Sequence, residues 1–365
     1  MTERPDLLPE TSSLTTDPLS DLLASMHLAG AVLFRAEFRE PWCVLTPGAR
    51  QLAKVLPFRT ERIIPFHIVA RGGCWIEMPD REPVWLDDGD AVLLPHGQSH
   101  RLRGVGAAEP VPVGQLLPGP PWRDVLVVEH GGEGARASVV CGFLHCDEIP
   151  FDPILRDLPP LMRVGRQASG EDLWLSATVR RAAAEASLLL PGARNMLPRL
   201  VELMFVEILR EHMQGLSGGE SGWLAACKDA VAGPALRLLH AAPAAPWSVD
   251  ALAQRVGVSR TVLSERFRRL LGQPPMHYLA QWRLQLAAQR LAGSELPVKV
   301  VADEAGYESE AAFSRAFKRR FGMPPRDWRQ RSEAGLGRDS QRGPGGMAAR
   351  TSPRDRGAQS GLRLP

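Results

Sequence analysis

Six side chains able to hold a metal or move a proton lie in the span 67–146: His67, His96, His100, Cys141, His145 and Cys146. Imidazole with thiolate is the ligand set that zinc prefers, so Zn is the candidate ion. A redox-active thiol at Cys74, Cys141 or Cys146 is the alternative chemistry, and it would need a lowered thiol pKa. As a regular strand, CGFLHC puts Cys141, Phe143 and His145 on one face and Gly142, Leu144 and Cys146 on the other. The two cysteines need not meet. Taken singly, His96 reads as a surface histidine and Cys146 as a small buried hydrophobe. The expected effector or metal site is therefore His67, His100 and one residue of CGFLHC.

A second chemistry is written twice near the other end. FRRLLGQPP (Phe267–Pro275) returns fifty residues later as FKRRFGMPP (Phe317–Pro325). The echo extends upstream: Val249, Leu252, Ala253 and Gly257 correspond to Val298, Val301, Ala302 and Gly306. Each copy reads as a short helix, a glycine turn and a second helix stopped by glycine and proline, with Ser259 and Ser309 as N-caps. That is a helix-turn-helix, twice. Apolar residues four apart pin each second helix and leave its other face free. The free faces carry Arg260, Thr261, Ser264, Glu265 and Arg268 in the first copy and Glu310, Ala311, Ser314, Arg315 and Lys318 in the second. In the major groove of double-stranded DNA, arginine can pair with guanine and glutamate can accept from cytosine. Arg269, Arg319 and Arg320 lie further round and suit phosphates. Between the copies, Pro275–Gly293 reads as a helix able to link two reading heads into successive grooves, about 34 Å apart.

The elements that must position these residues follow from the hydrophobic pattern. Between about 30 and 147, short β-branched and aromatic runs separated by turn signals predict an all-β region, sandwich or barrel. From 171 the period changes to three and four, predicting two amphipathic helices up to about 214. Residues 1–17 and 332–365 are rich in Pro, Gly, Ser and charge and read as disordered. QGLSGGESG (214–222) reads as a linker. The fold class is thus multidomain α+β: a barrel over 18–150, a helical segment over 151–213, the linker, and an all-α domain over 223–331.

Charge separates the same halves. Residues 247–331 hold 15 Lys/Arg against 8 Asp/Glu, and the tail 6 against 3, so the net +3 of the 365-residue chain leaves the first 246 residues at −7. Only the C-terminal part is built to face a polyanion. No run of eighteen uncharged apolar residues occurs and the N-terminus is acidic, which predicts a cytoplasmic protein without a membrane partner. Five scattered cysteines are not a secreted disulfide scaffold.

The region from Trp223 to Gln330, with both copies, the linking helix and the ending GMPPRDWR, resembles the DNA-binding domain of the AraC/XylS family of bacterial transcription regulators. Thr261 and Ala311 stand where the family often has an amide or an aromatic, so the base sequence does not transfer. GDAVLLPHGQSH (Gly89–His100) resembles the second cupin motif, and PFHIVARGGCWIEM supplies His67 where the first cupin motif has its histidine pair, with Val69 in place of the second histidine. The order of parts resembles an AraC subgroup whose cupin-like barrel receives a signal and whose following helices dimerise. The resemblance implies a cytoplasmic, sequence-specific regulator, an activator acting with RNA polymerase, working as a homodimer and answering a small-molecule effector, metal or oxidant. The competing reading is a cupin metalloenzyme, an isomerase or dioxygenase, with an accessory DNA-binding tail; the missing histidine at Val69 argues against it.

Overall fold

A computed structural model describes residues 17–25, 28–55, 62–119, 125–146, 154–165, 173–188 and 191–331. The expected disordered tail 332–365 and nearly all of 1–17 lie outside the described residues. The chain enters on α1 (Pro18–Ser25), capped by Asp17, whose carboxylate accepts from the Leu19 and Ser20 amides. The β-region follows as β1 (Leu28–Arg39), β2 (Cys43–Thr46), α2 (Ala49–Val55), β3 (Ile63–Arg71), β4 (Gly73–Glu77), β5 (Val84–Asp87), β6 (Ala91–Leu93), β7 (His100–Arg103), β8 (Val111–Pro112), α3 (Val113–Leu116), β9 (Leu126–Gly131), β10 (Arg136–Cys146) and β11 (Met162–Val164).

The strands form two mixed sheets, ordered β11-β6-β3-β10-β1-β9 and β5-β4-β7-β2-β8. Their inner faces enclose a core of Phe34, Phe38, Trp42, Val69, Ile76, Leu86, Leu102 and Val139. β3 and β10 pair antiparallel with Cys141 opposite His67. Both strands are apolar on both faces, because the outer side of their sheet is covered in turn by helices. Those are α4 (Leu173–Leu188), packed on β3, and α5 (Ala193–Gly215), packed on β1. Ile64, Phe66, Val140 and Leu144 share a cluster with Val179, Leu197 and Val201 there. This is why β3 reads as a continuous hydrophobic run and not as an alternating one.

The helical part consists of α6 (Trp223–Lys228), α7 (Ala232–Ala241), α8 (Val249–Val256), α9 (Arg260–Leu271), α10 (Pro275–Gly293), α11 (Val298–Glu304) and α12 (Glu310–Phe321). Between α5 and α6, residues 216–222 form a bonded turn: Ser217 pairs with Glu220, and Lys228 donates to the carbonyls of Gln214 and Leu216. The division into compact units falls within α10. One unit takes in the chain to Leu286 with Glu304–Gly306, the other Ala287–Asp303 with Tyr307 onward. The first is continuous across 214–222 because α1 packs on α7 and one hydrophobic cluster runs from Leu19 and Leu22 through Trp223 and Leu236 to Phe267. At that junction Tyr278 accepts from Trp223 Nε1 at 2.9 Å and meets His240 Nε2 at 2.8 Å, while His240 Nδ1 faces Asp21 of α1 at 3.3 Å. Among the described residues no helix is long and apolar enough to cross a membrane.

Gly30 marks where α5 crosses β1. A Cβ there would stand 2.7 Å from the carbonyl oxygen of Pro198 and 3.2 Å from Val201, and the Gly30 amide donates to Glu202 at 3.1 Å. Gly30→Ala must lift the helix or bend the strand, so it is expected to destabilise the protein by about 1–3 kcal/mol, measured by urea unfolding.

Candidate functional site

In the barrel, three of the expected residues meet between the sheets. His67 on β3 places Nδ1 3.1 Å from Cys141 Sγ on β10 and Nε2 2.7 Å from Nε2 of His100, which starts β7 in the other sheet. His100 Nδ1 lies 3.0 Å from the main-chain oxygen of Gln98. All three side chains are buried. Burial, the largest cause, together with the neighbouring His100 holds the His67 imidazole well below its ordinary pKa. Burial brings His100 down to about 4 against a partial upward pull from the Gln98 carbonyl. Both rings are therefore neutral near pH 7, and the proton positions follow in order. A carbonyl can only accept, so His100 carries its proton on Nδ1 and leaves Nε2 bare. His67 must then donate from Nε2, which leaves its Nδ1 to accept from the Cys141 thiol. The result is one directional chain, Cys141 to His67 to His100 to Gln98, with every polar atom on it satisfied.

The set does not fit zinc. A tetrahedral ion needs lone pairs that converge, whereas His67 turns its two nitrogens to different neighbours on opposite edges of its ring. Among the described residues no group of three or more His, Cys, Asp or Glu is placed to hold a metal ion. The described candidate thiols, Cys74 and Cys141, are both held protonated by burial. Burial, with Cys74 beside it, pushes the Cys141 thiol well above its ordinary value, and burial with Asp90 and Glu40 pushes Cys74 up to about 12. His96 does not join the site: it is exposed and donates from Nε2 to the Leu158 carbonyl at 2.8 Å. The tight turn at Gly97 leaves His96 on the surface, and β7 turns His100 in. His145 lies four residues along β10 from Cys141, about 13 Å away by strand rise, beside Phe143. The Cys146 side chain lies outside the described residues. Val69 is buried in the core between the sheets, so no imidazole fills the place of a second first-motif histidine.

The second region is the pair of helices α9 and α12. Ser259 and Ser309 cap them, each accepting from the amide three residues on at 3.2 Å. Gly272 and Gly322 end them with φ of 67° and 75°, the left-handed region that glycine adopts without strain. Leu263 and Phe267 are buried on one helix, Phe313 and Phe317 on the other. Opposite them, Arg260, Thr261, Glu265, Arg268 and Arg269 are exposed and Ser264 half-buried. On α12, Ala311, Arg315, Lys318 and Arg319 are exposed, whereas Glu310, Ser314 and Arg320 are half-buried. Arg260 lies 3.5 Å from Asp250, and Arg269 at 3.9 Å shares Asp229 with Arg266 at 3.3 Å. Sequence reasoning passed over Val262, which is 42% exposed on the first turn of α9. An exposed valine among polar neighbours is the signal, since an apolar group there suits a thymine methyl.

The neutral histidines predict a pH dependence. His100 is lowered from 6.5 to about 4 in the folded chain, so as pH falls the unfolded chain takes the proton first. The stability this residue contributes is complete above its unfolded value. It is lost as pH falls towards the folded value, at up to about 1.4 kcal/mol per pH unit, with His67 adding in the same direction. Urea midpoints across that window should fall with pH, and His100→Gln should flatten the curve.

Comparison with known proteins fits both regions. The family described as Cupin matches residues 17–214, and the one described as Helix-turn-helix domain matches 252–331. An AraC-like transcription regulator of Streptomyces lividans is 31% identical over 322 residues, covering 86% of this chain and 98% of its own. The HTH-type transcriptional regulator AlkR of Acinetobacter baylyi is 30% identical over 269 residues, covering 73% of this chain and 87% of its own. Among solved structures, an AraC-type regulator from Chromobacterium violaceum is 32% identical over 27% of this chain and 88% of its own, with a TM-score of 0.26. With more than half its length matched by the cupin family and a regulator aligned almost end to end, the chain belongs to the AraC-like transcription regulators, with a cupin domain ahead of a helix-turn-helix DNA-binding domain.

Proposed function

We propose that this regulator reads DNA with both helix pairs, α8–α9 and α11–α12, and that the barrel interior receives the signal that sets its activity. The observation carrying this reading is the fifty-residue echo. The caps, left-handed glycines and buried anchors recur, while the exposed side chains are free to differ. Helices held on one side and polar on the other suit major grooves. The effector that best suits the Cys141–His67–His100 chain is a small neutral molecule, because an ion would be buried without a converging ligand set and the thiols are held protonated. It must bind the active and inactive arrangements with different affinity. With Val69 where an enzyme of this fold would place a ligand, the barrel is a sensor and the chain is not an enzyme. We take it to be a cytoplasmic activator working with RNA polymerase.

The homodimer is assigned to α4 and α5. Trp174, Arg181 and Leu188 on α4, and Met196, Leu203 and Arg210 on α5, fall at heptad spacing, and the four apolar ones are among the most exposed large hydrophobics of the chain. Arg181 approaches Met196 Sδ at 4.0 Å, which puts the two stripes side by side. A second copy would cover them as a two-helix seam. Leu203→Glu should give a monomer by light scattering and weaken operator binding through loss of effective concentration, with every base contact intact.

Genome-wide mapping of bound DNA, with and without candidate small molecules, tests the whole reading; binding without preferred sites would sink it. Two substitutions test the helix faces. Arg315→Ala should relax preference at one base position and cost about 1–3 kcal/mol, whereas Arg319→Ala should weaken all sequences alike and lower the salt slope by about one unit.

A further inference from the structure

Beside α12 the second compact unit has a cleft of about 420 Å³ whose walls include Lys299, Glu310, Arg326 and Arg329. Three cations face one carboxylate there. Arg329 is used by the fold, since its guanidinium donates to the carbonyls of Leu291 and Leu296. Its neighbour Trp328 donates to Ala288 at 3.1 Å and packs on Phe317 and Phe321. These contacts fix the helical stretch 325–331 and so fix where Arg326 stands. Lys299 and Arg326 are exposed, and neither side chain forms an ion pair or hydrogen bond among the described residues. Two uncommitted cations lining one positive cleft suit a singly charged oxyanion.

We propose that this cleft seats a backbone phosphate of the DNA strand bordering the groove that α12 enters, with Lys299 and Arg326 as its ligands. The proposal rests on the reading that α12 enters a major groove. Glu310 joins the two, because it opens the helix carrying Ala311, Arg315 and Lys318 and also lines the cleft. A duplex whose bases lie along the exposed side of α12 has its sugar-phosphate rim beside that first turn, whose Glu310 lines the cleft. Glu310 repels a phosphate from its own side, which biases the anion toward Lys299 and Arg326 and leaves the carboxylate for a cytosine amine. Such contacts fix register without reading sequence.

The test uses the full chain, duplexes that it selects from a random pool, and the unselected pool. Lys299→Ala with Arg326→Ala should keep the parent unfolding midpoint and weaken selected and unselected DNA by the same factor. It should also make the slope of log K against log salt shallower by about 2 units, so that the affinity lost between 50 and 200 mM salt shrinks by about tenfold. Lys299→Arg should restore its share of the slope. An unchanged slope overturns the proposal, and so does a changed ranking of selected sequences, which would make these side chains base readers. Intact DNA binding with lost transcription in a purified polymerase assay overturns it too, in favour of an acidic protein partner. If the parent chain selects no sequence at all, the groove reading and the phosphate seat fall together.

Discussion

Strands β3 and β10 have no face open to water along their length, and the organisation of the barrel half follows from that. Their inner side carries His67 and Cys141, and their outer side joins the cluster that holds α4 and α5. Packing at interior density leaves little slack between the two sides, so on the proposed reading a shift of strand that accommodates a ligand inside would be taken up by the helices outside. The same helices carry the heptad-spaced apolar stripes. A barrel covered only by solvent would have no such route outward.

Some of the polar groups buried within this apolar frame satisfy one another. In the Cys141–His67–His100 chain each hydrogen has one acceptor, and charging any member would place an ion where water cannot reach it. Asp90 solves the same problem differently: although buried, it is held by Arg163 at 2.6 Å and accepts from the Asp87 amide, which pins the β5–β6 turn. In the helical part Trp223, Tyr278 and His240 form a third such network. Buried hydrogen-bond networks favour one arrangement over near neighbours. A ligand entering the barrel has to replace bonds, not merely fill space.

What could be read from the sequence was local. Ser259, Ser309, Gly272 and Gly322 act within one helical turn of themselves, so spacing alone located α9 and α12 and their free faces. The linking helix Pro275–Gly293 was legible for the same reason. The meeting of His67, Cys141 and His100 depends on the register of β3 against β10 and on the approach of two sheets, neither of which is encoded nearby. The histidine motifs indicated His67 and His100, but which residue of CGFLHC would meet them stayed open. Lys299 and Arg326 escaped notice because they lie 27 residues apart and become neighbours only when the chain returns after α12. The short α1 escaped because its partner surface, on α7, is more than two hundred residues away.

The repeated helices share their anchors but not their outward side chains: Arg260, Thr261 and Glu265 stand in one where Glu310, Ala311 and Arg315 stand in the other. A target engaged by two unlike teeth has a head and a tail. On the proposed reading, a site contacted by both helices would therefore point one way along the duplex, and inverting it would turn the barrel to the opposite side.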